Sequence, residues 1–200
     1  MKNLARTLNH LFHPMLMPVL GLLLILNSGT YLALLDPGAK RVLLMVMGMG
    51  TLLFPLFSLP FLHYRRTMAP VQDRMSERML PMLVILVLYG ITMVYFMRLP
   101  LSRLLHAYAL SFTLLTLLIF LSEMRFRLCT HMAGLGGMAA LVLALMLLYE
   151  VPLQGILMLV LLAAGISGSV RLYLGMQNPA EEAGGFLLGF LVIGATLLLY

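Results

Sequence analysis

Seven apolar stretches dominate the chain, at roughly residues 14–35, 42–63, 79–97, 103–122, 131–149, 152–173 and 183–200. Each is near the ~20 residues a helix needs to cross the hydrocarbon of a bilayer. Water is absent there, so every backbone N–H and C=O must be satisfied within the segment, which dictates helices. A soluble core of 200 residues could not hide this surface: the chain is 62% hydrophobic, 10% charged and has a mean hydropathy of +1.03. The expectation is an all-α, polytopic transmembrane helix bundle of about six to seven spans, forming one integral membrane domain over 1–200. The run from Pro14 to Leu35 is long enough to span and carries no small-residue cleavage pattern, so a cleaved leader is not expected. The last stretch ends at Tyr200 without a polar flank and is the weakest of the seven.

The connections sort into two kinds. Asp36-Pro37-Gly38-Ala39-Lys40-Arg41, the segment 98–103 and Glu150-Val151-Pro152 read as short turns, whereas 64–78, 123–130 and 174–182 are longer and more polar. Two spans separate each long connection from the next, so all three face one side, together with the N-terminus. That side carries Lys2, Arg6, Arg65, Arg66, Arg74, Arg78, Arg125, Arg127 and Arg171; the other carries Lys40, Arg41, Arg98 and Arg103. The positive-inside rule would place the more basic face in the cytoplasm. Site arginines would bias that count, so orientation stays open at this point.

Two polar clusters stand on the basic side, where charge next to lipid is costly and calls for a reason. In the first, Arg125 and Arg127 precede Cys129-Thr130-His131, and Ala133-Gly134-Leu135-Gly136-Gly137 opens the following helix. A helix N-terminus presents unpaired N–H groups and a positive dipole end to an anion. His131 has the right chemistry to donate a proton to a departing alkoxide. The plainer reading makes His131 an interfacial polar residue and the glycines packing residues. In the second cluster Arg171 is followed by Gln177 six residues on and Glu181 four after that. Guanidinium is a good planar partner for phosphate oxygens, or else a snorkelling helix-end cation. Asn178-Pro179-Ala180-Glu181 also reads as a helix cap, with Pro at the first helical position and an acid at the third. In loop 64–78, Arg74 and Arg78 share a helix face and suit either a phosphate or lipid headgroups.

The two later clusters resemble the second and third motifs of the type 2 phosphatidic-acid phosphatase superfamily, membrane enzymes that hydrolyse lipid phosphates. That family's second motif is Pro-Ser-Gly-His, and Leu128-Cys129-Thr130-His131 keeps only its His. The third is Ser-Arg, five residues, His, three residues, Asp; this chain offers Val170-Arg171, five residues, Gln177, three residues, Glu181. The first motif, Lys and seven residues on Arg-Pro, is met only by Arg74, Arg78 and Pro81 out of register. The resemblance spans approximately 74–190. It implies that Arg171, Cys129 and Thr130, with Arg74, Arg78 and Arg127, would cradle phosphate, that His131 would be the general acid, and that neither metal nor cofactor would be needed. In that family the third-motif His attacks phosphorus, steered by the Asp. Gln177 stands at the nucleophile position with Glu181 at the acid, and an amide nitrogen is not nucleophilic. The resemblance therefore implies a phosphatase-like scaffold with weak or no turnover by the usual route. It also implies the bacterial inner membrane, where most such enzymes work on the outer side, against the positive-inside expectation.

The expected partners are membrane lipids, in particular a phosphorylated lipid such as phosphatidate, a polyprenyl phosphate or a lipid A phosphate. The alternative function is a non-catalytic structural or lipid-binding subunit with a membrane-protein partner. A net charge of +6 without a long basic run or a soluble module argues for anionic headgroups and against nucleic acid. No acid lies inside the seven stretches as bounded, which disfavours a cation-coupled transporter. A single Cys excludes internal disulfides, and Tyr must supply the interfacial belt because Trp is absent.

Overall fold

The computed structural model describes residues 14–57, 76–123, 125, 128–175 and 177–200; the side chains of Pro14 and of 76–78 are outside this description. Six helices are long and apolar enough to cross a membrane, and no strand occurs among the described residues. The all-α polytopic bundle is thus the architecture of an integral membrane protein. Arg74 and Arg127 lie outside the described residues, and only the backbone of Arg78 is described.

The first apolar stretch does not form a full-length span. A 3-10 turn at Pro14–Leu16 leads into helix α1 (Met17–Asn27), which at eleven residues rises only about 16 Å. It stops because Ser28 and Thr30 both donate their hydroxyls to the Ile25 carbonyl, at 3.2 and 3.1 Å, and Gly29 turns the chain with φ +76°. A second 3-10 turn, Tyr31–Leu34, follows. Asp36 then caps α2, which begins at Pro37 rather than after a six-residue turn: its carboxylate accepts from Gly38 N–H at 2.8 Å and Ala39 N–H at 3.3 Å. Helix α2 continues through a π turn at Met49–Leu53, and the whole helical run covers Pro37–Phe57.

The remaining helices are α3 (Ser76–Arg98), α4 (Arg103–Glu123), α5 (Thr130–Tyr149), α6 (Gln154–Tyr173) and α7 (Pro179–Leu199). Between α3 and α4 the tight turn is tied by His106, whose Nε2 lies 3.0 Å from the Phe96 carbonyl and 3.2 Å from that of Leu99. Both partners are acceptors, so Nε2 carries the proton.

Helix α5 is the axis of the bundle and the most buried of the six. Along it runs the broken first segment: Met17 shares a core cluster with Cys129, Met132 and Leu135 at the start of α5, and Tyr31 packs 5.9 Å from Tyr149 at its end. The closest helix pair is α5 with α7. A Cβ at Gly185 would strike the Cys129 carbonyl, and one at Gly189 the Ala133 carbonyl. The small residues at four-residue spacing therefore let two backbones touch, and their close van der Waals packing favours association where no hydrophobic force acts between helices.

Candidate functional site

Arg171 occupies the last turn of α6, where a cation complements the negative end of the helix dipole. It does not snorkel: only 6% of it is exposed. Its Nη2 donates to Oε1 of Gln177 at 2.9 Å, and its Nε lies 3.8 Å from Oε1 of Glu182. Glu182 sits in the first turn of α7, at the positive dipole end, and is 4% exposed. Space for its carboxylate comes from Gly168, where a Cβ would come within 3.1 Å of Oε2. The connector closes through Gly175, at φ +63°, a left-handed conformation that glycine adopts without steric cost.

Glu181 points to a different task. Its Oε2 accepts from the Asn178 backbone N–H at 3.3 Å in a capping box, with Pro179 at the first helical position. The capping reading of Asn178-Pro179-Ala180-Glu181 is the one the geometry bears out. Glu181 also fixes the two later connectors together, because its carbonyl accepts from the Cys129 N–H at 3.1 Å. The start of α5 and the start of α7, where the two later connectors end, therefore lie on the same side of the bundle, as the count of spans requires.

Cys129 stands at the N-cap of α5, fully buried. Burial pushes its thiol above the ordinary range, and Glu182 pushes the same way; backbone N–H groups of Met132 and His131 and the Arg171 charge oppose this only in part. Its side chain is a neutral thiol within the electrostatic reach of Arg171 and Glu182, unsuited to nucleophilic work.

Thr130 and His131 turn the other way. They line a cavity of about 270 Å³ bordered by α1, α3, α4, α5 and Ile193 of α7. Neither Arg171 nor Gln177 lines it. Of the predicted site residues, the structure thus brings Arg171, Gln177, Cys129 and the Glu181 backbone to one joint, and sets Thr130 and His131 on the cavity face of α5.

Glu182 is the residue that sequence reasoning missed. The seventh stretch was bounded at 183, but α7 starts at Pro179, so an acid does lie inside a membrane helix. A readable signal existed. Ala164, Ser167, Gly168 and Arg171 share one buried face of α6, and Glu182, Gly185, Gly189 and Ile193 share one buried face of α7, whose glycines meet α5. A charge that ends a stripe of small residues faces a neighbouring helix rather than headgroups. The Ser167 hydroxyl on that face of α6 is buried without a hydrogen-bond partner.

No family model, curated protein or solved structure matches the chain.

Proposed function

We propose that the protein binds a phosphate-bearing lipid at the rim where α5 begins and α6 ends, in a bacterial inner membrane, and that hydrolytic turnover has been lost. The observation carrying this reading is the joint itself: one backbone bond, Cys129 N–H to Glu181 O at 3.1 Å, ties together the connectors that bear the two motif-like clusters. A guanidinium sits at that joint, beside the first turns of two helices whose N–H groups favour anions. Loss of turnover follows from Gln177, which has no nucleophilic nitrogen and whose carbonyl oxygen is engaged by Arg171.

A second reading, a structural subunit without ligand, draws on the same pair. Glu182 already supplies Arg171 with a counter-charge, so a lipid phosphate must compete with a buried carboxylate.

Purified protein in phosphatidylcholine vesicles with and without phosphatidate or a polyprenyl phosphate separates the readings. The lipid-phosphate reading expects retention of the phosphorylated lipid, weakened by Arg171→Ala, with no phosphate release by the native chain. Gln177→His then creates turnover if the scaffold is a silenced phosphatase. Equal retention of phosphorylated and neutral lipids by native and Arg171→Ala chains would leave the structural reading standing.

A further inference from the structure

The cavity between α3, α4 and α5 has a polarity gradient that the rim does not explain. Its outer end is formed by Thr130 and His131 at the start of α5. Its inner end is aromatic: Tyr89 and Tyr108 each pack edge-on against Phe112, with centroids 5.3 and 5.7 Å apart. Both phenol hydroxyls are spent on backbone carbonyls, Tyr108 on that of Pro18 at 2.8 Å and Tyr89 on that of Thr51 at 3.4 Å. The wall hydroxyl of Thr116 is likewise bound to its own helix, at the Phe112 carbonyl. With these hydroxyls already satisfied, the aromatic end offers a ligand chiefly carbon, while Thr130 and His131 stand together at the other end.

Depth matches a membrane lipid. Lining positions on α5 run from Thr130 to Leu141, a rise of about 16 Å. That is roughly half of the ~30 Å hydrocarbon thickness, one leaflet. Met15, Met17, Met82 and Met138 contribute flexible, polarizable walls that adapt to an irregular chain.

We propose that this cavity is a binding site for one hydrocarbon chain of a membrane lipid from the leaflet on the rim side. The chain lies along α5 with its terminal carbons on the Tyr89–Phe112–Tyr108 floor. The lipid's polar end stays beside Thr130 and His131. The short α1 forms one wall, which explains why a buried half-length helix is retained next to the axis of the bundle. This site stands whether or not the rim takes a phosphate, since Arg171 is not part of it.

The test uses the full chain in phosphatidylcholine–phosphatidylglycerol vesicles containing a phosphatidylcholine whose acyl chain carries a diazirine near its end. Photolysis followed by peptide mass mapping is expected to place adducts on Tyr89, Tyr108 or Leu141, as well as on outward residues such as Leu159 and Leu191, which any lipid touches. Thr116→Phe, which fills the cavity, is expected to abolish the inner adducts and leave the outward ones. Labelling of native protein confined to outward residues would overturn the proposal without any variant, and so would inner adducts that survive Thr116→Phe in a chain of native thermal stability. Loss of phosphate binding with inner adducts intact would sink only the rim reading.

Discussion

Arg171 and Glu182 hold opposite charges 3.8 Å apart, both almost wholly buried, where the end of α6 meets the start of α7. Each is placed at the helix end whose dipole favours its sign, and Gly168 leaves room for the Glu182 carboxylate. Removing one partner leaves an uncompensated charge, at a cost of about 3–5 kcal/mol for a buried pair. Glu182→Ala and Arg171→Ala are each expected to lower the midpoint of thermal unfolding in detergent markedly. Arg171→Met with Glu182→Leu should recover much of the loss, giving strongly non-additive shifts. Additive shifts would show that the two side chains do not interact.

On the proposed lipid-phosphate reading, the same contact competes with an anion at the rim. Glu182→Gln keeps the shape and removes the competing charge, so retention of phosphatidate in mixed vesicles is expected to rise, while binding of neutral lipid stays level. Unchanged phosphatidate retention would mean that Glu182 does not gate access to Arg171.

Between α5 and α7 the backbones meet at Gly185 and Gly189, where an added Cβ would collide with carbonyls rather than with movable side chains. Gly189→Val is therefore expected to cost more than the ~1–3 kcal/mol usual for overpacking. Size-exclusion chromatography of the solubilised variant should show loss of the monodisperse species. As a control, Gly165→Val has open space around it and should leave the profile unchanged.

The Cys129 thiol carries a consequence of known sign. Its acidity is lowered by burial, so the thiolate population at any given pH is smaller than for a free Cys. Maleimide labelling is expected to be slow at neutral pH and to gain speed only at a more alkaline pH than for an exposed thiol. Unfolding in denaturant should restore the ordinary rate. Fast labelling of the folded protein at neutral pH would contradict the placement of Cys129 behind α7.

Tyr108 anchors α1 to α4 through the Pro18 carbonyl. Tyr108→Phe removes one neutral hydrogen bond, worth about 0.5–1.5 kcal/mol. Hydrogen exchange should accelerate in Met17–Asn27 and not in α7. Uniform acceleration across the bundle would mean that the bond supports the whole fold.

Much of the architecture was legible because lipid imposes a simple rule on length and polarity. Stretches 103–122, 131–149 and 152–173 became helices with ends shifted by a residue or two, and the shared side of the later connectors followed from counting spans. The first stretch misled for a physical reason. Its composition meets the length criterion, but the Ser28 and Thr30 hydroxyls capture the Ile25 carbonyl and end the helix early. Glu181 was readable as a cap from Asn178-Pro179 alone. Glu182, one residue on, stands out only through the small-residue face that it begins on α7, because nothing within the first turn itself distinguishes a buried acid from a solvated one.

From the sequence alone came the helical class, the order of the later long helices and the shared side of the last two polar connectors, since these depend only on apolar length and on the count of spans. The tertiary structure decided which groups meet. Successive side chains on a helix point about 100° apart, so the rotation of α5 against α6 and α7 determines that Cys129 faces Arg171 while Thr130 and His131 face the cavity. That rotation is fixed by the close approach at Gly185 and Gly189, a contact between residues more than fifty positions apart in the chain.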